Sequence, residues 1–215
     1  MKTFLFHGYP GSGKDTQVNL LVERYGFENI GTGEMIRYMY KHGDIQAIRA
    51  NEESQKGHLV PNEIIYSMLN RYILNFNPEK NWAFVSVVRE KGQISLFDDL
   101  LNTTGRKLDS FIHFTLTPEI SIERISLRSI CPHCDETYHD KYKAEKVKGY
   151  CDRCGSKLTK RGDDSKEKVL VRHKEYERTI VPILDEYRKR DLLIEIDATP
   201  GIEEIHRVLV ERLGL

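Results

Sequence analysis

Four short apolar runs, at 3–7, 82–88, 111–116 and 192–196, are separated by longer stretches whose apolar residues recur at helical spacing. Runs such as Ala83-Phe84-Val85 and Val87-Val88 are apolar on consecutive positions, as strands covered on both faces are. Strand alternating with helix predicts an α/β fold, a parallel sheet flanked by helices. Pro61 opens a helix with apolar residues at Ile64, Ile65, Met68, Leu69, Tyr72 and Ile73, and Thr117-Pro118 opens another with a cap residue followed by proline. Two segments break the alternation. Residues 31–60 read as helical without a strand, and residues 127–164 carry every cysteine. Both are expected to be insertions on a core made of 1–30, 61–126 and 165–215.

Composition narrows the partners. The 215 residues are 39% apolar and 31% charged, enough for one sizeable core. Thirty-three basic residues balance thirty-three acidic ones, interleaved along the chain, so no broad basic face is expected to attract nucleic acid. Apolar runs are too short for a secretory leader or a membrane span. A cytoplasmic protein is the expectation.

The first apolar run leads into Gly8-Tyr9-Pro10-Gly11-Ser12-Gly13-Lys14-Asp15-Thr16-Gln17, followed by the amphipathic Val18-Asn19-Leu20-Leu21-Val22. Strand, glycine loop and helix in that order form a phosphate cradle: backbone N–H groups turn inward, the helix presents its positive end, and Lys14 adds a full charge. A nucleoside triphosphate is the expected ligand. The hydroxyl of Thr16 comes one place later than in the usual Gly-Lys-Ser/Thr form.

Cys131-Pro132-His133-Cys134 and Cys151-Asp152-Arg153-Cys154 form two Cys-x2-Cys pairs sixteen residues apart. Four thiolates at this spacing suit a tetrahedral zinc ion, while two disulfides are the competing pairing, disfavoured in a reducing compartment. Four protein ligands leave zinc no open position, so its role is structural.

The glycine loop, Gly31-Thr32-Gly33-Glu34-Met35-Ile36-Arg37, Gly57-His58-Leu59-Val60-Pro61, Arg89 with Gln93, Glu123-Arg124 with Arg128, and the stretch from Cys131 through Arg161-Gly162-Asp163-Asp164 to Arg172 together resemble the adenylate kinase family, in its long-lid, zinc-bearing form. The resemblance implies a P-loop NTPase-like core, a helical AMP-binding insertion at 31–60 and a zinc-held lid at 127–164, with Mg2+ accompanying ATP. It implies an AMP site of Thr32, Arg37, His58, Leu59, Val60, Ser86, Val87, Val88, Arg89 and Gln93, with Gln93 reading the adenine edge and Arg161 and Arg172 reaching the phosphates. On the ATP side it implies Gly11, Ser12, Gly13, Lys14, Asp15, Thr16, Arg124, Arg128, Thr137, Tyr138 and Pro200. Catalysis would rest on Lys14, Arg89, Arg124, Arg128, Arg161 and Arg172, because phosphoryl transfer needs positioning and charge more than covalent help. ATP, AMP and ADP are the implied partners of a monomer.

One segment departs from the family pattern. Where the family carries Asp-Gly-Phe-Pro before the arginine, this chain has Val85-Ser86-Val87-Val88. The lost aspartate would hold magnesium-bound water, and Asp15 stands where a glycine is usual. Asp15 is expected either to take over that magnesium shell or to favour the helix N-terminus. The same departure leaves open a different monophosphate acceptor, or a weakly active nucleotide-sensing homologue.

Overall fold

The computed structural model describes residues 1–56, 59–161 and 164–215. The central sheet is built from β1 (Thr3–Gly8), β2 (Glu28–Gly31), β3 (Trp82–Val85), β4 (Ser110–Thr115) and β7 (Leu193–Asp197) in the order β2-β3-β1-β4-β7, and every pairing is parallel. Parallel neighbours need long crossovers. These are supplied by α1 (Lys14–Tyr25), α4 (Asn62–Tyr72), α5 (Gln93–Thr103), α6 (Pro118–Ser126) and α7 (Lys166–Lys189), with α8 (Ile202–Leu213) closing the chain.

Successive residues of β1 serve opposite faces: Leu5 packs with Phe84, Phe97 and Tyr187, whereas Phe4 and Phe6 pack with Leu21, Phe27 and Leu209. Each fully buried side chain of this size contributes about 1.5–3 kcal/mol of transfer free energy, which fixes the register. The sheet is therefore covered on both faces, as its apolar runs require.

The insertion at 31–60 holds α2 (Thr32–Lys41) and α3 (Ile45–Lys56). Residues 127–164 hold a small antiparallel pair, β5 (Arg128–Ile130) and β6 (Thr137–His139). The helix expected after Pro61 begins at Asn62, and Thr117 caps α6 by accepting from the Ile120 N–H.

Two differences from the sequence reading have clear causes. The strand expected over 82–88 stops at Val85 because Ser86 takes φ 54°, a left-handed conformation that ends the ladder. Glu28–Gly31 forms the edge strand β2, which its polar Glu28 and Asn29 concealed.

Candidate functional site

The glycine loop joins β1 to α1 at the carboxyl ends of the strands. Gly8 admits no side chain, since a Cβ there would lie 2.7 Å from the Phe114 carbonyl oxygen. Gly13 precedes the helix at φ 80° with open space beside it, leaving the helix N-terminus accessible to an anion. The Ser12 N–H closes the loop onto the Tyr9 carbonyl at 3.0 Å.

Beneath the loop lies a polar seam that the sequence did not disclose. The Tyr9 hydroxyl donates to Glu177, Ser121 Oγ donates to the Pro10 carbonyl and lies 2.8 Å from His173 Nε2, and the Tyr9 ring packs on Tyr176. His7 stacks on Tyr176 as well, and His113 Nε2 lies 2.6 Å from the Tyr176 hydroxyl. The loop is thereby tied to α7, the helix that carries Arg172.

Cations gather around the loop. Burial pushes the Lys14 ammonium toward neutrality; Asp15 opposes this, and Arg172 and Arg89 add to it. Lys14 Nζ lies 3.1 Å from Asp15 Oδ2. Burial would raise the Asp15 carboxyl, but Lys14, Arg161 and Arg128 outweigh it and hold the group ionised. Its side chain is still 72% exposed, so it lines an open cleft in which water screens these pairs. Five of the six expected catalytic cations are thus brought together.

Asp164 organises two of them. Its side chain is 3% exposed, it accepts from both Nε and Nη2 of Arg128, and it lies 3.5 Å from Arg172 Nη1. A bidentate carboxylate fixes a guanidinium plane more tightly than a point charge does.

Arg124 stands apart from this group. It is buried, donates to the carbonyls of Ala198 and Thr199 at 2.7 and 3.2 Å, and lies over the Tyr142 ring. It therefore braces the loop leading to Pro200. Tyr138 also faces inward: it is buried among the cysteines, and its hydroxyl meets Cys151 Sγ and the Asp152 N–H. The exposed Thr137 and the backbone at Tyr138 remain for a nucleotide.

On the other side of the loop, a cavity of about 30 Å³ is lined by Thr32, Leu59, Val60, Ser86, Val87, Arg89 and Gln93. Thr32 Oγ1 and Arg89 Nε both donate to the Ser86 carbonyl. Gln93 accepts from the Arg89 N–H at 2.6 Å and donates to Asn62 Oδ1 at 2.7 Å, an aiming partner not foreseen from the sequence. Val88 is fully buried in the core, so it supports the wall without facing the cavity. His58 and Asp163 lie outside the described residues. At this volume the cavity as it stands is far smaller than a nucleotide. A larger surface hollow of about 390 Å³, lined by Arg188, Glu195 and Arg212 along β7, shares no residue with the loop.

The four cysteines carry no disulfide, and their Sγ atoms all lie within 4.8 Å of one another. Burial works to raise the Cys151 thiol, but the Tyr138 hydroxyl and the N–H groups of Cys154 and Arg153 prevail and bring it to about 6. Burial pushes the Cys134 thiol the other way, up to about 12. Four sulfurs gathered so closely can hold a metal ion, which takes thiolates as ligands.

Comparison with known proteins agrees with this geometry. The family model described as adenylate kinase matches residues 6–192. An adenylate kinase from Carboxydothermus hydrogenoformans is 38% identical over 201 residues, covering 94% of each chain. One from Chloroherpeton thalassium is 34% identical across 99% of this chain and 98% of its own. One from Archaeoglobus fulgidus is 33% identical across 94% and 93%. With a glycine loop on a parallel sheet, a ring of cations about Lys14 and relatives matched end to end, the chain belongs to the adenylate kinase family and is an ATP-dependent kinase that passes a phosphoryl group reversibly between ATP and AMP.

Proposed function

We propose that ATP lies over Gly11–Thr16 with its base toward Arg124 and Pro200, that AMP occupies the cleft of Thr32, Arg37, Leu59, Val60, Ser86, Arg89 and Gln93, and that the two meet at Lys14. The observation that carries this reading is the convergence on Lys14 and Asp15 of Arg89, Arg128, Arg161 and Arg172, which come from separate parts of the chain. Guanidinium groups spread over equatorial oxygens stabilise the transferring phosphoryl, and each well-placed arginine is worth on the order of a thousandfold in rate. Gln93, held by Asn62 and the Arg89 N–H, offers its amide to the acceptor base.

Residues 31–60 and 127–164 act as the two flaps on a core of 1–30, 61–126 and 165–215. Closure expels water, so the phosphoryl group passes to the acceptor and not to solvent. Cys131, Cys134, Cys151 and Cys154 hold a structural zinc ion. Three of their sulfur separations are 3.4–3.6 Å and all lie within 4.8 Å, which supports this, since tetrahedral zinc thiolates place sulfurs ~3.8 Å apart. Magnesium accompanies ATP in adenylate kinases, and the Thr16 hydroxyl, two residues beyond Lys14, is the oxygen donor proposed to face it. The enzyme works as a cytoplasmic monomer; among the described residues no helix is long and apolar enough to cross a membrane.

An assay of ATP and magnesium with AMP, CMP, UMP or GMP in turn tests the acceptor. ADP formation with AMP in clear preference is the expected result. Preference for another monophosphate would assign Ser86, Val87 and Val88 to a different base.

A further inference from the structure

The lid reaches across to the acceptor side through one side chain. Asp135 follows the first cysteine pair, and its Oδ2 lies 3.5 Å from Arg37 Nε and 3.3 Å from Lys41 Nζ, both on α2. Arg37 and Lys41 are four residues apart, so they share a face of the helix. The two cysteine pairs end in the same turn. The Asp135 N–H bonds the Cys131 carbonyl at 3.0 Å, and the Gly155 N–H bonds the Cys151 carbonyl at 2.8 Å. Both residues are left-handed, Asp135 at φ 59° and Gly155 at φ 72°. That conformation suits glycine, and the second pair uses it. The first pair instead keeps a carboxylate at a conformational cost, aimed at two cations of another part of the molecule.

We propose that Asp135 is a built-in competitor for the acceptor's phosphate, holding the Arg37 guanidinium that the monophosphate takes over and so weakening acceptor affinity whenever the lid lies against α2. The inference rests on the assignment of Arg37 to the AMP site. The hold is loose by design. Arg37 Nε is buried yet makes no hydrogen bond among the described residues, so Asp135 attracts it through charge without a directed bond. A phosphate offers more charge and several acceptor oxygens, and it wins the guanidinium. Asp135 is then left with Lys41, which keeps its carboxylate compensated as AMP binds. Glu34 stands in the same field: burial raises its carboxyl, Arg37 lowers it, and Asp15 and Asp135 raise it further. An arriving dianion therefore meets the negative charge of Glu34 and Asp135 as well as the cations that draw it in. Removing Asp135 lessens that negative charge.

The test uses the metal-loaded enzyme and the variants Asp135→Asn and Asp135→Gly, with bound metal measured in each. Glycine matches the left-handed turn, so the cysteine cluster survives in at least that variant. Both variants are expected to lower KM for AMP by about 2- to 5-fold, the range of a partly exposed ion pair, with kcat and KM for ATP unchanged from the parent. The gap should narrow in about 0.5 M KCl, where screening weakens the pair. An unchanged or raised KM for AMP, or an equal change in both KM values, overturns the proposal. Arg37→Gln is the companion measurement. If it leaves KM for AMP unmoved, the AMP-site assignment itself fails; if it raises KM while the Asp135 variants do nothing, only the competitor role fails.

Discussion

Lys14 and Asp15 are adjacent in the first turn of α1, and their side chains meet at 3.1 Å. Read from the sequence, Asp15 had two roles open to it: holder of a magnesium shell, or an acid favouring a helix N-terminus. The structure adds that Lys14, Arg161 and Arg128 already compensate its charge. A carboxylate so placed draws Lys14 away from phosphate. Asp15→Asn is therefore expected to lower KM for ATP a few-fold and leave the magnesium requirement as in the parent, read from rate against magnesium concentration at fixed ATP. A rise in the magnesium needed would restore the metal-shell role. At this scale the sequence disclosed residue types whose spacing carries chemistry: Lys14, the arginines and the cysteines. It could not disclose Asn62 behind Gln93, or Glu177 and His173 beneath the glycine loop, because those partners are 31, 168 and more than 50 residues distant from what they hold. Single polar residues in amphipathic helices look like solvated positions until the fold turns them inward.

Among the elements, those with strong periodicity were legible and those with little were not. The helix after Pro61 and the strands β1, β3, β4 and β7 follow from apolar runs, to within a few residues at their ends. β2 escaped notice, being four residues long with only Ile30 and Gly31 buried. The region at 127–164 is the least able to stand alone: its buried cluster consists of Cys131, Tyr138 and Cys151, flanked by Cys134 and Leu158. In the proposed zinc-bound form metal ligation supplies most of its order, since structural zinc provides on the order of 10 kcal/mol in such small units. Chelation is expected to expose 127–164 to limited proteolysis while the core keeps its cooperative melting. Simultaneous loss of both would show that the metal stabilises the whole chain. The same element carries Arg128 and Arg161, so activity should fall with the metal.

The molecule as a whole buries imidazoles that its charge balance does not announce. His7, His113, His173 and His206 are buried, and burial is the largest influence on each, lowering its proton affinity, for His7 to well below the ordinary value. The unfolded chain takes up protons at these sites as pH falls through about 6.5, whereas the folded chain resists until lower pH. The unfolded state binds more protons in that window, so stability is fully present above about 6.5 and is lost progressively below it. Urea midpoints by circular dichroism are expected to fall between pH 7.5 and 5.5. An unchanged midpoint would contradict the buried, neutral state of these groups.

The central claim is that cations from both flaps and from the core close around two nucleotides meeting at Lys14. Calorimetric titration with two adenosines joined by a five-phosphate bridge tests it most directly. The expected result is one ligand per chain, bound much more tightly than ATP or AMP alone, with that advantage lost in Lys14→Met and in Arg172→Gln. Binding no tighter than ATP, or an advantage that survives both substitutions, would contradict it.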